Sequence, residues 1–490
     1  HTDNDGITTT YVYDAQHHVM KETDVFGAWK SYTYEGNQIK TITHSNGLVI
    51  TLTYDANGNL LKESDNNGRT TSYQYDHNNR LIQKTDALGY SEKYQYDGNG
   101  NLIAYVDGNG GVTTYVYDAN GNQIQTNRGN LTSSKQYDAK NRILTETDEQ
   151  GQTTSYVYDG AGNKIASIDN YSQKTSYVYN AQGDVIETID PKGNRMIEEY
   201  DEGHRRLSLT DPQGNQTKYA YDDAGQLIET IQANGKTTAT TYADHRPQEQ
   251  KDEFGNITSL EYDAYGRVIR KTDAQGNVTE TTYDMYGQPS VVTENGMRTT
   301  YTYDVYGNVI QTVDPYGIVT RRSYDALDRI SVETDALNQT IRHYYDGIGN
   351  EVQTVDQAGY TVKRDYNLLG QCIKETDENG HETLYTYDNR GQNTGVSKGN
   401  MHTTFLYDAH GNITETKVNG VTAEEKEYDA YGRVIRERTP EKTMAYEYDT
   451  FDNVILETNE TTGLSIEKEY DSFSNVLREE DSEGRTTIYT

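Results

Sequence analysis

Pairs of aspartates are the first residues of this chain that could do chemistry. Asp107 and Asp118 form one such pair, and two neighbouring carboxylates can act as the acid and the base of a hydrolytic reaction. The same pairing recurs in nearly every stretch of about 21 residues. An active site needs one such pair, so the repetition indicates a structural role.

Metal ligands and nucleophiles are the next candidates. The segment 118–122, Asp-Ala-Asn-Gly-Asn, faintly resembles a calcium loop, but its glycine comes early and Gly129 stands where the twelfth position needs glutamate. The 11 histidines, such as His204, follow no ligand spacing and are expected in solvent. The single cysteine, Cys372, lies in a strand-like segment and is expected to be an ordinary strand residue.

No serine elbow, zinc helix or phosphate loop is present in the sequence. We therefore predict no catalytic, cofactor-binding or metal-binding residue, and no enzyme activity. The 45 tyrosines remain, and rows of exposed rings could bind carbohydrate by stacking. Packing of the rings on a sheet is the alternative that we favour.

A strict repeat positions all of these residues. A tyrosine that usually precedes aspartate recurs 23 times between Tyr13 and Tyr470, with fifteen intervals of 21 residues, six of 20 and one of 22. Aspartate follows it in 19 cases; the exceptions are Glu35, Asn180, Ala243 and Asn367. Such a register predicts a single repeat region over residues 1–490, cut within a repeat at both ends.

Each repeat reads as one β-hairpin and a link to the next. In residues 101–122, two strand-like segments, 101–106 and 112–117, alternate with the turns 107–110 and 118–121. Both turns have the pattern Asp-x-x-Gly, in which aspartate caps the turn and glycine accepts a positive φ. The structural signature that we predict consists of Tyr54, Asp55, Gly58, Tyr96, Asp97, Gly100, Tyr117, Asp118, Gly121, Tyr158, Asp159, Gly162, Tyr303, Asp304 and Gly307.

The predicted fold class is all-β. A continuous antiparallel meander of about 23 hairpins has about 46 strands and forms a ribbon on the order of 220 Å long. Large sheets twist and curl, so the ribbon is expected to coil into a hollow shell or an open β-spiral. Repeat tyrosines stand two strands apart, so each ring should lie over the strand between.

Composition limits the partners. The net charge is −33 and the mean hydropathy is −0.95, so we expect a single wet sheet layer and no nucleic-acid partner, which would need clustered cations. No apolar run is long enough to predict a membrane span.

The pattern Tyr-x-Tyr-Asp-x-x-Gly-Asn, seen at 115–122 and 301–308, resembles the YD-repeat or Rhs family along the whole chain. The family includes Rhs polymorphic toxins, bacterial wall-associated proteins, shell components of insecticidal toxin complexes, and teneurins. The resemblance implies repeats wound into a hollow cocoon. It also implies a C-terminal toxin or other cargo domain as partner.

Two functions remain open at this point. One is a non-enzymatic shell of a secreted or cell-surface bacterial protein that encloses its own C-terminal cargo, which is absent from this chain. The other is an extracellular adhesion, carbohydrate-binding or filament-forming module. Association of chains through exposed edge strands is a further expectation, because the terminal repeats have no capping element.

Overall fold

A computed structural model describes residues 8–489. These residues contain 47 strands, all in one sheet, and no helix. The strands are β1 (Thr10–Tyr13), β2 (Val19–Thr23), β3 (Trp29–Glu35), β4 (Gln38–His44), β5 (Val49–Tyr54), β6 (Leu60–Asp65), β7 (Thr70–Tyr75), β8 (Leu81–Thr85), β9 (Ser91–Tyr96), β10 (Leu102–Val106), β11 (Val112–Tyr117), β12 (Gln123–Arg128), β13 (Leu131–Tyr137), β14 (Ile143–Thr147), β15 (Thr153–Tyr158), β16 (Lys164–Ile168), β17 (Lys174–Tyr179), β18 (Val185–Ile189), β19 (Arg195–Tyr200), β20 (Arg206–Thr210), β21 (Gln216–Tyr221), β22 (Leu227–Ile231), β23 (Thr237–Ala243), β24 (Arg246–Lys251), β25 (Ile257–Tyr262), β26 (Val268–Thr272), β27 (Val278–Tyr283), β28 (Pro289–Glu294), β29 (Met297–Tyr303), β30 (Val309–Val313), β31 (Val319–Tyr324), β32 (Ile330–Thr334), β33 (Thr340–Tyr345), β34 (Glu351–Asp356), β35 (Thr361–Tyr366), β36 (Cys372–Thr376), β37 (Glu382–Tyr387), β38 (Asn393–Lys398), β39 (Met401–Tyr407), β40 (Ile413–Val418), β41 (Val421–Tyr428), β42 (Val434–Arg438), β43 (Thr443–Tyr448), β44 (Val454–Asn459), β45 (Leu464–Tyr470), β46 (Val476–Asp481) and β47 (Thr486–Ile488).

Pairing follows the order of the chain. Strand β14 pairs antiparallel with β13 on one side and with β15 on the other, and the same relation holds along the sheet. Threonine, valine and tyrosine dominate these strands, and their branched or aromatic side chains suit a pleated surface. The prediction of an all-β antiparallel meander is confirmed.

A β-bulge marks every Tyr–Asp junction for which the pairing is described. Gln136 faces Thr145, whereas the next residue, Tyr137, faces Ile143, so Leu144 is an extra residue in β14. Such a bulge bends the strand and interrupts the ladder locally. The repeat tyrosine therefore stands at the point where backbone pairing is weakest.

The sheet has almost no enclosed core. Within residues 8–489, the apolar side chains that are buried are Leu48, Leu131 and Ala166. Most strand residues are half-buried, as expected of a single sheet layer wetted by solvent.

The repeats form two compact units. Unit 1 consists of the described residues up to 113 with 240–371 and 376–380, and unit 2 of 114–239 with 372–375 and the described residues from 381 onward. Each unit thus combines an early run of repeats, 8–113 or 114–239, with a late run, 240–371 or 381–489.

Candidate functional site

Each repeat has two turns, which lie at opposite ends of its strands. The Tyr–Asp turn follows the repeat tyrosine, as in 118–122, and the hairpin turn joins the two strands of the repeat, as in 107–111. In the hairpin turn, the carboxylate Oδ1 of Asp107 accepts hydrogen bonds from the backbone N–H groups of Asn109 at 2.9 Å and Gly111 at 2.8 Å. The sequence candidate Asp107 is therefore a turn cap.

The Tyr–Asp turn uses both carboxylate oxygens of its aspartate. Oδ1 of Asp118 accepts from the backbone N–H groups of Asn120 and Asn122, each at 2.9 Å. Oδ2 accepts from the side-chain amide of Asn122 at 2.9 Å. These hydrogen bonds, led by that of the Asn122 side chain, lower the pKa of Asp118 from its usual value. Both oxygens of the carboxylate are turned into the loop.

The other signature residues occupy equivalent places in their own repeats. Asparagine side chains lower the pKa of Asp55, Asp97 and Asp159 in the same way. The fourth turn position has φ between 84° and 104° at Gly58, Gly100, Gly121, Gly162 and Gly307. The tyrosine, aspartate and glycine of each Tyr-Asp-x-x-Gly set lie at one turn, and different sets lie at different turns.

The repeat tyrosine bridges neighbouring strands. The hydroxyl of Tyr158 in β15 donates to the backbone carbonyl of Ile143 at 2.9 Å, beside the bulge of β14 and beyond the end of the β14–β15 ladder. Tyr96 and Tyr303 make the same bond to Leu81 and Pro289, at 2.9 Å and 2.7 Å. Each ring therefore lies over the preceding strand, as predicted. Its hydroxyl donates to a backbone carbonyl that lies outside the ladder at the bulge.

Arginine strengthens this junction in some repeats. Nε of Arg142, at the fifth position of the turn, donates to Oδ2 of Asp138 at 2.7 Å. Its guanidinium also lies over the ring of Tyr158, 4.5 Å from the centroid, a cation–π contact. One side chain thus ties the aspartate of one repeat to the tyrosine of the next.

In unit 1, hairpin turns of the early run lie against Tyr–Asp turns of the late run. We call these contacts the seam. The side-chain amide of Asn67 donates to the hydroxyl of Tyr306 at 2.9 Å, and the guanidinium of Arg69 lies 3.3 Å from the centroid of the same ring. Further pairs are Asn46 with the carbonyl of Val305 at 2.8 Å, Arg69 with Asp328 at 2.9 Å, and Asn109 with Asp346 at 2.8 Å.

Two glycines let the backbones meet in this seam. A Cβ atom on Gly347, in a Tyr–Asp turn, would lie 2.5 Å from the carbonyl oxygen of Gly108, in a hairpin turn. Real side-chain carbons do not approach so closely, so only glycine fits both positions.

Unit 2 has an equivalent seam. The ring of Tyr171 stacks on His410 with 3.8 Å between centroids, and the side-chain amide of Asn412 donates to its hydroxyl at 2.7 Å. Further pairs are Gln173 with the carbonyl of Ala430 at 3.0 Å and Asn194 with that of Thr450 at 2.7 Å. In both units, the third and fifth residues of the hairpin turn make these contacts. No sequence signal predicts these contacts, because the residues look like ordinary turn residues.

Some charged side chains of neighbouring strands contact one another. In unit 1, Arg322 contacts Glu333 at 2.9 Å, and Glu351 contacts both His343 at 2.6 Å and Arg364 at 2.8 Å. In unit 2, His204 contacts Asp184 at 2.6 Å, and both residues lie in turns. Ion pairs across strands, such as Arg322 with Glu333, stabilise the sheet.

No group of three or more histidine, cysteine, aspartate or glutamate side chains within residues 8–489 could hold a metal ion. The thiol of Cys372 is half-buried and lies 3.4 Å from the carbonyl of Lys374. No helix in the same residues is long and apolar enough to cross a membrane.

Solved structures share this fold. The chain superposes on the TcdB2-TccC3-Cdc42 crystal structure with a TM-score of 0.69 at 14% identity, covering 98% of this chain and 35% of that one. The Tc holotoxin pore of Photorhabdus luminescens, with a mutation in TccC3, gives 0.55 at 14% identity, with 97% and 32% covered. TcdB2-TccC3 without its hypervariable C-terminal region gives 0.55 at 14% identity, with 98% and 32% covered. The chain thus spans about a third of the length of these proteins.

No curated protein matches the sequence. The family model described as RHS Repeat matches residues 54–91, 96–133, 137–171, 200–237, 242–278, 262–296, 283–320 and 366–400, which together make up more than half of the chain. This chain belongs to the RHS repeat family.

Proposed function

We propose that the chain is a non-enzymatic wall segment of an Rhs-type shell that encloses a C-terminal toxin or other cargo domain of the whole protein. The seam is the observation that carries this proposal. In each unit, repeats separated by 237 to 261 residues lie edge to edge and are joined at turn after turn. Repeats that are joined along their edges form a continuous surface, and a continuous surface is needed to enclose a cargo.

The sheet suits a cargo that must not be bound tightly. It is one layer thick, largely half-buried, and rich in threonine, glutamine and paired charges. The net charge of −33 would hold a basic cargo by weak, long-range attraction. One of the similar structures is of TcdB2-TccC3 without a hypervariable C-terminal region, and this supports a variable cargo at that end.

The non-enzymatic part of the proposal rests on the aspartates. Carboxylates that could catalyse a reaction accept hydrogen bonds from their own turns, as Asp107 and Asp118 do. We infer that the fifteen signature residues are architectural and that residues 1–490 form one repeat region. We also infer that this is a secreted or cell-surface bacterial protein. A shell of this kind would keep a toxic cargo away from the molecules of the producing cell until the protein has left it.

The adhesion alternative keeps less support. The hydroxyls of repeat tyrosines such as Tyr96 and Tyr158 bond to backbone carbonyls, which favours sheet packing over carbohydrate stacking. Carbohydrate binding and association through edge strands stay predictions. Electron microscopy of the chain distinguishes hollow particles from uniform filaments.

Protection of a cargo tests the proposal directly. A small, protease-sensitive basic domain is fused after residue 490, and its half-life in protease is measured beside that of the free domain. We expect the fusion to protect the domain at least tenfold. Equal half-lives would refute the shell.

A matched pair of glycine variants links protection to the seam. Gly347→Ala places a methyl group against the Gly108 carbonyl, whereas Gly98→Ala, at the same turn position, meets no atom within 4 Å. Neither glycine has a positive φ, so the two changes differ only in the seam. Loss of protection in Gly347→Ala alone supports the proposal. Equal protection in both variants would show that the seam does not close the wall.

A further inference from the structure

One strand position changes its residue type in three consecutive repeats of unit 1. The third residue before the repeat tyrosine is serine or threonine in 11 of the 23 repeats. Cations follow one another at this position in one place, at Arg321, Arg342 and Lys363. We call these three residues the basic row.

The basic row lies on one face of strands β31, β33 and β35, and its charges are not neutralised there. All three side chains are exposed, and within residues 8–489 none of them forms an ion pair. Their chain neighbours Arg322 and Arg364 point to the opposite face. Arg322 contacts Glu333 at 2.9 Å on that face, and Arg364 contacts Glu351 at 2.8 Å. Cations are therefore paired on one face of these strands and free on the other.

Uncharged residues surround the basic row on its own face. Its partners in the ladder are Gln311, Val332, Thr334, Gln353 and Val355. Asp365 is the one acidic residue that strands β31 to β35 place on this face. Cations thus outnumber acids here, in a chain whose net charge is −33.

An unusual aromatic ring lies among these cations. Tyr344 stands directly before a repeat tyrosine, where the other 22 repeats have residues that are not aromatic. It is two residues from Arg342 in the same strand, so both side chains point to the same face. The hydroxyl of the adjacent repeat tyrosine, Tyr345, donates to the carbonyl of Ile330 at 2.9 Å. Tyr344 makes no such bond within the described residues, and 47% of it is exposed.

The spacing of these groups follows from the ladder. Neighbouring members of the basic row are two strands apart and offset by two residues, which corresponds to about 12 Å. Tyr344 faces Gln353, and Gln353 faces Lys363, so the ring is about 10 Å from the lysine across the sheet. An aromatic ring therefore lies between two unpaired cations, in an open row on the order of 25 Å long.

We propose that the basic row and Tyr344 bind an extended acidic glycan that carries about one carboxylate or sulfate group for every two sugars. The arginines and the lysine form charge-assisted hydrogen bonds with the acidic groups. The ring of Tyr344 stacks on the C–H face of a sugar, since the face of an aromatic ring is electron-rich. The side chains of Gln353 and Thr334 supply partners for sugar hydroxyls. All of these residues lie on the face of the sheet, so the site depends neither on the seam nor on the proposed cargo.

Charge spacing and surface shape favour a glycan over other acidic ligands. A nucleic-acid strand carries one charge about every 3.4 Å, much closer together than the cations of the basic row. Tight protein partners place anchor residues in well-packed, dehydrated pockets, whereas this face is open and polar around Tyr344. A sparsely charged sugar chain matches both the wide spacing and the flat, exposed ring.

Calorimetric titration with hyaluronan oligosaccharides, which carry one carboxylate per disaccharide, tests the proposal. We expect binding at low ionic strength that weakens as salt is added, because salt screens the ion pairs. Neutral dextran oligosaccharides should not bind. Absence of hyaluronan binding, equal binding of dextran, or equal binding of poly-glutamate or single-stranded DNA would each overturn the proposal.

A matched pair of double variants tests whether the basic row is the site. The variant Arg342→Thr, Lys363→Thr should bind hyaluronan at least tenfold more weakly. The control Lys93→Thr, Lys218→Thr removes two isolated, exposed cations from the same repeat position and should leave the affinity unchanged. Threonine already occupies this position at Thr300, so the strands are kept. Equal losses in the two variants would show attraction to the chain in general and would refute a local site.

Two substitutions of Tyr344 test the stacking contact. Tyr344→Phe keeps the ring and should retain the affinity, whereas Tyr344→Thr removes it and should weaken binding several-fold. Threonine is found at the equivalent position at Thr302. Circular dichroism melts of all variants show whether the fold is intact. Unchanged binding by a folded Tyr344→Thr variant would mean that charge alone holds the glycan, and the proposed site would be wrong.

Discussion

In most repeats an aspartate carboxylate caps the turn, and the hydroxyl of a repeat tyrosine bonds to the bulged strand that follows. Asp138 and Tyr158 illustrate this division of work: the aspartate accepts the N–H groups of its own loop, and the tyrosine donates to the bulged strand. Each of the two residues bonds to a backbone group that would otherwise be unpaired.

The fourth turn position should be the most sensitive to substitution. Gly121 has a φ of 84°, and a Cβ there would meet no atom within 4 Å, so the cost of Gly121→Val is purely conformational. We expect its hairpin to lose about 1–2 kcal/mol, measured by native-state hydrogen exchange. The control Gly160→Val has equal space and no positive φ, and exchange there should hardly change. Comparable losses would argue against backbone strain as the cause.

The tyrosine hydroxyl should contribute a measurable part of hairpin stability. Tyr158→Phe leaves the carbonyl of Ile143 without its donor, and we expect a loss of about 0.5–1.5 kcal/mol in chemical denaturation. Tyr344→Phe is the control, because this ring is exposed. If the two variants unfold alike, the bond to the bulge has no net stabilising effect.

Sequence patterns predict the roles of single turn residues well. Asp-x-x-Gly predicts a capped turn, and residues such as Asp118 and Gly121 have the bonds and the φ that such a turn needs. The spacing of tyrosines also predicted a ring over the intervening strand. The bulge beside each ring was not predicted, because an extra strand residue such as Leu144 has no distinctive side chain.

At the scale of the element, the hairpin depends on ionised caps. Hydrogen bonds from asparagine lower the pKa of Asp55, Asp97, Asp118 and Asp159 below the ordinary value of 3.8. A depressed pKa in the folded state means that the carboxylate stabilises the fold fully above the unfolded value of 3.8 and loses that effect as pH falls through the lower folded value.

Acid should therefore weaken the hairpins together. We expect the melting temperature, followed by circular dichroism, to stay level from pH 7 to about pH 4 and to fall steadily below it. Asp118→Asn retains an acceptor, as Asn180 does in its own turn, so hydrogen exchange at this hairpin should depend less on acid. A melting temperature that is constant down to pH 2 would contradict the role of the caps.

In the whole molecule, the contacts of the seam could not be predicted from the sequence. The partners Arg69 and Asp328 are 259 residues apart, and no local motif encodes that separation. The third and fifth turn residues could have been singled out only if the partner repeat of each turn had been known.

The contacts of the seam depend on the number of repeats between the two partners. Deleting residues 138–158 removes one whole repeat, from after Tyr137 to Tyr158, and preserves every other hairpin. Arg69 should then face the turn at 346–350 instead of the turn at 325–329. Each Tyr–Asp turn offers similar carbonyls, so the seam can slip by one repeat, although it loses specific pairs such as Arg69 with Tyr306. We expect a folded protein with a lower melting temperature.

Deleting only residues 148–158 should be far more damaging, although it removes about half as many residues. It takes away one hairpin turn and the strand β15 (Thr153–Tyr158), so β14 would lead directly into the Asp159 turn. Every later strand would then run in the opposite direction, and Tyr–Asp turns would exchange edges with hairpin turns. The amide of Asn67 and the guanidinium of Arg69, which contact Tyr306, would face the wrong kind of turn. Thermal unfolding and limited proteolysis of the two deletions, compared with the intact chain, separate the two cases. Equal stability of both deletions would mean that the strands alone hold the fold and that the seam contributes nothing.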